Sequence, residues 1–87
     1  MTLNDIVIAH AAGVLAEVSV EALGQAKFTI WRCVMRQREA VANAQREGRT
    51  LETLLELSKD LGLYARINDD IFKILTKKHG YTYEDFQ

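Results

Sequence analysis

Phe28-Thr29-Ile30-Trp31-Arg32-Cys33-Val34-Met35 is the stretch whose reading decides the fold. Taken alone it suits a strand, because β-branched and aromatic side chains pack well on a pleated surface. Its surroundings argue for helix. Glu21-Ala22-Leu23 precede it and residues 36–47 follow it, nearly all good helix formers. Gly24 is the only breaker nearby, and no turn residues bound the run. The segment therefore reads as one long helix. Ser19 is its N-cap, Glu21 supplies an acid where the helix dipole favours one, and Gly48 stands where a left-handed residue ends a helix. Such a helix has about 27 residues and a length of roughly 40 Å at 1.5 Å per residue.

Outward from it, three further helical segments are expected. Residues 4–17, capped by Asn4 or Asp5, carry Val7, His10, Val14 and Val18 at helical spacing, with Ile6, Ala11 and Leu15 beside them. A single bent helix joining this segment to the next is the alternative. Residues 50–61, capped by Thr50 and ended by Gly62, place Leu51, Leu54, Leu55, Ser58 and Leu61 on one face. Residues 68–79, capped by Asn68 or Asp69 and ended by Gly80, carry a stripe of Ile67, Ile71, Ile74 and Leu75. The tail, residues 81–87, holds three aromatics and reads as a short docked turn capped by Thr82.

These segments give an all-α class: one domain over residues 1–87, a small bundle of about four helices with a long second helix. The chain has 87 residues, no proline and five glycines, which fits long helices and short joints. The expected core is Val7, Val14, Leu23, Ile30, Val34, Leu51, Leu54, Leu55, Leu61, Ile71, Ile74 and Leu75.

The charge total, 11 basic against 12 acidic residues, disfavours a protein that lives on nucleic-acid phosphates. The signs are nevertheless segregated. Residues 1–26 hold three acids and no Lys or Arg; residues 27–49 hold six bases and two acids; residues 50–87 hold five bases and seven acids. A hairpin of helices two and three would set Glu52 near Arg46 and Asp60 near Arg36 or Arg38, neutralising the basic stripe within the molecule. One cysteine, Cys33, allows no internal disulfide, no apolar run spans a membrane, and the cytoplasm is the expected compartment.

No group of side chains reads as catalytic, cofactor-binding or metal-binding. His10, Cys33 and His79 lack ligand partners at helical spacing, and the Asp69-Asp70 pair reads as a cap. What stands out is the second helix. Leu23, Ala26, Ile30, Val34 and Val41 form one apolar stripe; Phe28, Trp31 and Met35 form another, about a third of a turn away, with Arg32, Arg36 and Arg38 beside it. A chain this short has few helices to cover both. Trp, Met and Arg are the residue types enriched at interface cores. The expectation is a non-enzymatic protein-binding module, a regulator, adaptor or inhibitor of bacterial or phage type. It is expected to act as a homodimer through Phe28, Trp31, Met35, Arg32, Arg36 and Arg38. One alternative is a DNA-binding helix-turn-helix over residues 50–79, weakened by the acids opening its second helix. The other is an accessory subunit of an enzyme.

Overall fold

Residues 28–35 lie inside a single 27-residue helix in the computed structural model, which describes residues 1–82 and residue 84. The chain order is α1 (Leu3–Ala11), a turn of 3-10 helix (Leu15–Glu17), α2 (Val20–Arg46) and α3 (Leu51–Lys77), with no strand among the described residues. The all-α class stands, with three α-helices among the described residues in place of four.

The caps follow from local chemistry. The Ser19 hydroxyl accepts from the Ala22 N–H at 3.3 Å and opens α2. Thr50 does the same for the Thr53 N–H at 3.3 Å and opens α3. Gly48 takes φ 67°, the left-handed conformation that lets α2 stop and the chain reverse. At the other end the cap is Thr2, two or three residues earlier than Asn4 or Asp5. Its side chain accepts from the Asp5 N–H at 3.2 Å, while the Asp5 carboxylate accepts from the Thr2 N–H at 3.0 Å, a reciprocal capping box. Nor does this first helix reach residue 17. Gly13 at φ 72° turns the chain out of α1, and Val18 is extended before α2 begins.

The larger difference lies in the C-terminal half. The two helices expected at 50–61 and 68–79 are one, and Gly62 is an interior residue of it. A glycine inside a helix costs about 1 kcal/mol relative to alanine, which the packing of α3 on α2 outweighs. Leu54, Leu57, Leu61, Tyr64, Asn68, Ile71 and Leu75 alternate in steps of three and four, and none is exposed. On α2, Leu23, Ala26, Ile30, Cys33, Gln37, Ala40 and Ala44 keep the same alternation, again with none exposed. This spacing is what two helices wound gently about each other require. Breaking α3 at Gly62 would break the seam. The Gln37 side chain donates to the Leu57 carbonyl at 3.0 Å across it, which ties one axial register of the antiparallel pair.

α1 lies over the open end of this hairpin. Ile6, Ala9 and Leu15 join Leu23, Ala26, Ile30, Ile67, Ile71 and Leu75 in one core, with Tyr81 packed against it. His10 Nε2 meets the Asp70 carboxylate at 2.7 Å, linking α1 to α3, and the Lys78 ammonium donates to the Ala16 carbonyl. Asp69 and Asp70 are thus interior helix residues rather than caps; Asp69 pairs with Lys73 at 3.1 Å one turn on. The rest of the expected C-terminal turn, residues 83 and 85–87, falls outside the described residues.

Nine residues of α1 extend about 14 Å, so it covers only part of the hairpin. The far end is two helices thick. The radius of gyration is 14.4 Å, with extents of 44 × 29 × 19 Å, against about 12 Å for a compact chain of this length. This placement corrects part of the expected core. Leu23, Ile30, Val34, Ile71 and Leu75 are buried, and Val7, Leu54, Leu61 and Ile74 are half-buried. Leu51, Leu55 and Val14 are exposed, because Leu51 and Leu55 lie off the seam and Val14 follows the Gly13 turn.

Two outcomes follow from the backbone. A Cβ built on Gly62 meets nothing within 4 Å, so Gly62→Ala raises stability by about 1 kcal/mol. Gly48→Ala, forced into a left-handed conformation, lowers it by about 1–2 kcal/mol; thermal unfolding of the two variants reads the contrast. The third outcome concerns acid. The Thr2 backbone N–H and then the Thr2 hydroxyl hold the Asp5 carboxyl below its ordinary value of 3.8. A group whose folded value is depressed stabilises the fold above its unfolded value, and that contribution is lost as pH falls through the folded value. Protection of the α1 amides against hydrogen exchange, taken relative to their intrinsic rates at each pH, should therefore fall on acidification below the usual carboxylate range. Asp5→Asn should remove the acid-dependent part of that change.

Candidate functional site

A helix repeats every 3.6 residues, so positions 28, 31 and 35 fall half a turn from the seam positions 26, 30, 33 and 37. Phe28, Trp31 and Met35 are consequently on the outward side of α2, turned away from α3. Phe28 is 60% exposed, Trp31 46% and Met35 36%. At about 200 Å² for an aromatic side chain, Phe28 and Trp31 alone leave about 200 Å² of ring surface in water. With Met35 and the stems of the neighbouring arginines, this reaches the size at which exposed apolar patches on small proteins tend to be functional.

The arginines edge the patch. The Arg32 guanidinium lies 5.5 Å from the centre of the Phe28 ring, a cation–π contact worth about 0.5–1 kcal/mol at an exposed site. Arg32 and Arg36, with Trp31, Met35 and Glu39, line a shallow open depression. Glu39 is the member that the sequence reading missed. Its signal was spacing: it stands four residues after Met35 and seven after Arg32, on the same side of the helix. Arg38 is exposed on the adjoining flank. At the edge of the inward side, burial pushes the Lys27 ammonium below the ordinary lysine value.

The expected internal neutralisation of these arginines does not occur. Ion pairs join His10 to Asp70, Arg49 to Glu47 and Lys73 to Asp69. Among the described residues, Arg32, Arg36 and Arg38 on α2 and Glu52, Glu56 and Asp60 on α3 enter no ion pair within 4 Å. The outward side of α2 is thus apolar in the middle and basic at its edges, with Glu39 the one acid among residues 28–39.

Other chemistry is sparse. Cys33 is half-buried in the seam, and His10 is held by Asp70. Among the described residues, no group of three or more His, Cys, Asp or Glu side chains is arranged to hold a metal ion, and no helix is long and apolar enough to cross a membrane. The helix-turn-helix outline over residues 50–79 has no turn, because α3 runs straight through it. Comparison with known proteins gives no match: no family model, curated protein or solved structure aligns with the chain.

The two sides of α2 are separable by substitution. Ile30 is fully buried, so Ile30→Ala should cost about 2–5 kcal/mol. Phe28→Ala, on the outward side, should stay within about 0.5 kcal/mol of the parent. Urea unfolding of the dilute chain measures both. A cost for Phe28→Ala equal to that for Ile30→Ala would mean that the outward ring is part of the chain's own core.

Proposed function

We propose that the chain is a non-enzymatic protein-binding module, a small regulator, adaptor or inhibitor, whose docking surface is the outward side of α2 and whose simplest assembly is a homodimer. One observation carries the reading. A tryptophan, a phenylalanine and a methionine are set in line on the solvent side of a helix whose other side already makes the core. Leaving them in water has a standing cost of about 25 cal/mol per Å², which a partner removes on docking. Arg32, Arg36 and Arg38 at the edge supply orientation and steer encounter, as charges at the margin of an interface do. The module would work by occlusion, covering a surface on its target, or by bridging two proteins. An accessory subunit of an enzyme is one form such a module takes. The chemistry of the surface suits a soluble, cytoplasmic setting.

Trp31 is the only tryptophan, so its emission reports this surface alone. Sedimentation of the full chain over a wide concentration range should give a mass of two copies or more at the upper end. The Trp31 emission should move to the blue over the same range. Phe28→Ala and Met35→Ala should shift both transitions to higher concentration while the helical circular dichroism stays that of the parent. A parent chain that keeps the mass of one copy throughout overturns self-association.

A further inference from the structure

Beyond α2, the largest exposed apolar side chains on the hairpin are Leu51, at 71%, and Leu55, at 61%. They stand one turn apart at the start of α3, off the seam that α3 shares with α2. Glu52 and Glu56 flank them on one side, both exposed and neither in an ion pair; Lys59 stands one turn beyond Leu55, and Asp60 lies across the helix from Leu51. Residues 51–60 hold three acids and one base, Lys59; residues 28–39 hold three bases and one acid, Glu39. The hairpin therefore carries two unpartnered apolar surfaces with edges of opposite sign. They cannot meet within one molecule, because α2 and α3 are already joined along their inward sides and the two surfaces belong to the outward ones.

We infer that the surface received by the outward side of α2 is the Leu51–Leu55 side of α3 in a second copy of this chain. The inference rests on the reading of α2 as a docking surface and specifies what docks there. Charge chooses between the two ways in which copies could pair. Joining the α2 sides of two copies about a two-fold axis brings two sets of three arginines together, and like charges brought into an interface oppose association. Joining α2 of one copy to α3 of the next sets the arginine edge, Arg32, Arg36 and Arg38, against Glu52 and Glu56. It also covers Phe28, Trp31 and Met35 with Leu51 and Leu55. The contact is head to tail, so each added copy leaves one surface of each kind free. The assembly grows with concentration or closes into a ring, and the dimer is its smallest member.

The decisive experiment mixes two variants of the full chain, each disabled on one surface. Trp31→Glu blocks the α2 side and Leu55→Glu blocks the α3 side. Both positions are exposed, so both variants should keep the parent's circular dichroism. Each alone should sediment as one copy, since neither has both halves of the contact. Mixed in equal amounts they should form a one-to-one dimer and nothing larger, because each retains the surface that the other lacks. The parent chain should grow past the dimer, and added salt should weaken both assemblies. A Leu55→Glu chain that assembles as the parent does, while Trp31→Glu does not, overturns the head-to-tail contact and leaves α2 as a docking surface. A Trp31→Glu chain that assembles as the parent does overturns both readings. A parent chain that remains a single copy at every concentration also overturns the head-to-tail contact. Two single-copy variants that ignore each other when mixed do so as well.

Discussion

The seam between α2 and α3 is the constraint on which the remaining structure depends. Two helices can bury a shared line of side chains only if those lines keep steps of three and four. Leu54, Leu57, Leu61, Tyr64, Asn68, Ile71 and Leu75 keep that beat across more than twenty residues, as do their counterparts from Leu23 to Ala44 on α2. Once this pairing forms, much else is fixed. α3 must pass through Gly62 unbroken, and the loop at 47–50 must reverse the chain within a few residues. Every apolar side chain off the seam must find cover elsewhere.

Cover is unevenly supplied. α1 has nine residues, and Gly13 turns the chain away before it can run further along the hairpin. The side chains that it reaches, among them Ile67, Ile71 and Leu23, are completely buried. Those at the other end are not, and the exposed Leu51 and Leu55 mark where the third layer is missing. A chain of 87 residues buries only about two-thirds of its surface even when compact. An elongated hairpin buries less, so surplus apolar area is a consequence of the architecture rather than an accident of composition.

How much of this could be read from the sequence depended on whether the deciding physics was local. The caps at Ser19 and Thr50 and the left-handed Gly48 are set by side chains within a turn of the helix ends, and they are where the residues place them. The helical state of residues 28–35 was also legible, because both flanks agreed. Gly62 misled, since its cost of about 1 kcal/mol is visible locally while the seam that overrides it joins residues far apart in sequence. Leu51 and Leu55 misled for a related reason. A wide apolar stripe implies a core only when several helices surround it; a single partner takes the narrow line through Leu54, Leu57 and Leu61. The capping box at Thr2 was readable from Thr2 and Asp5 alone. On the outward side of α2, Phe28, Trp31 and Met35 were found because they share a helical side with one another and not with Ile30. Glu39 belonged to the same pattern.

The charges bring these strands together. Segregated blocks of basic and acidic residues on adjoining helices would ordinarily be expected to neutralise one another across the hairpin. Here the residues facing across the seam are mostly apolar, small or amide-bearing, with Gln37 bonded to a backbone carbonyl. The charged side chains stand off to the flanks and outward sides, where long-range attraction is weak in water and screened within about 10 Å at moderate salt. Opposite charges on separate outward surfaces contribute little to folding one copy. They contribute more when a second surface arrives and excludes water from between them, because the same pair interacts more strongly in a lower effective dielectric. The segregation thus adds little to stability within one molecule, and under the proposed docking it would act between molecules.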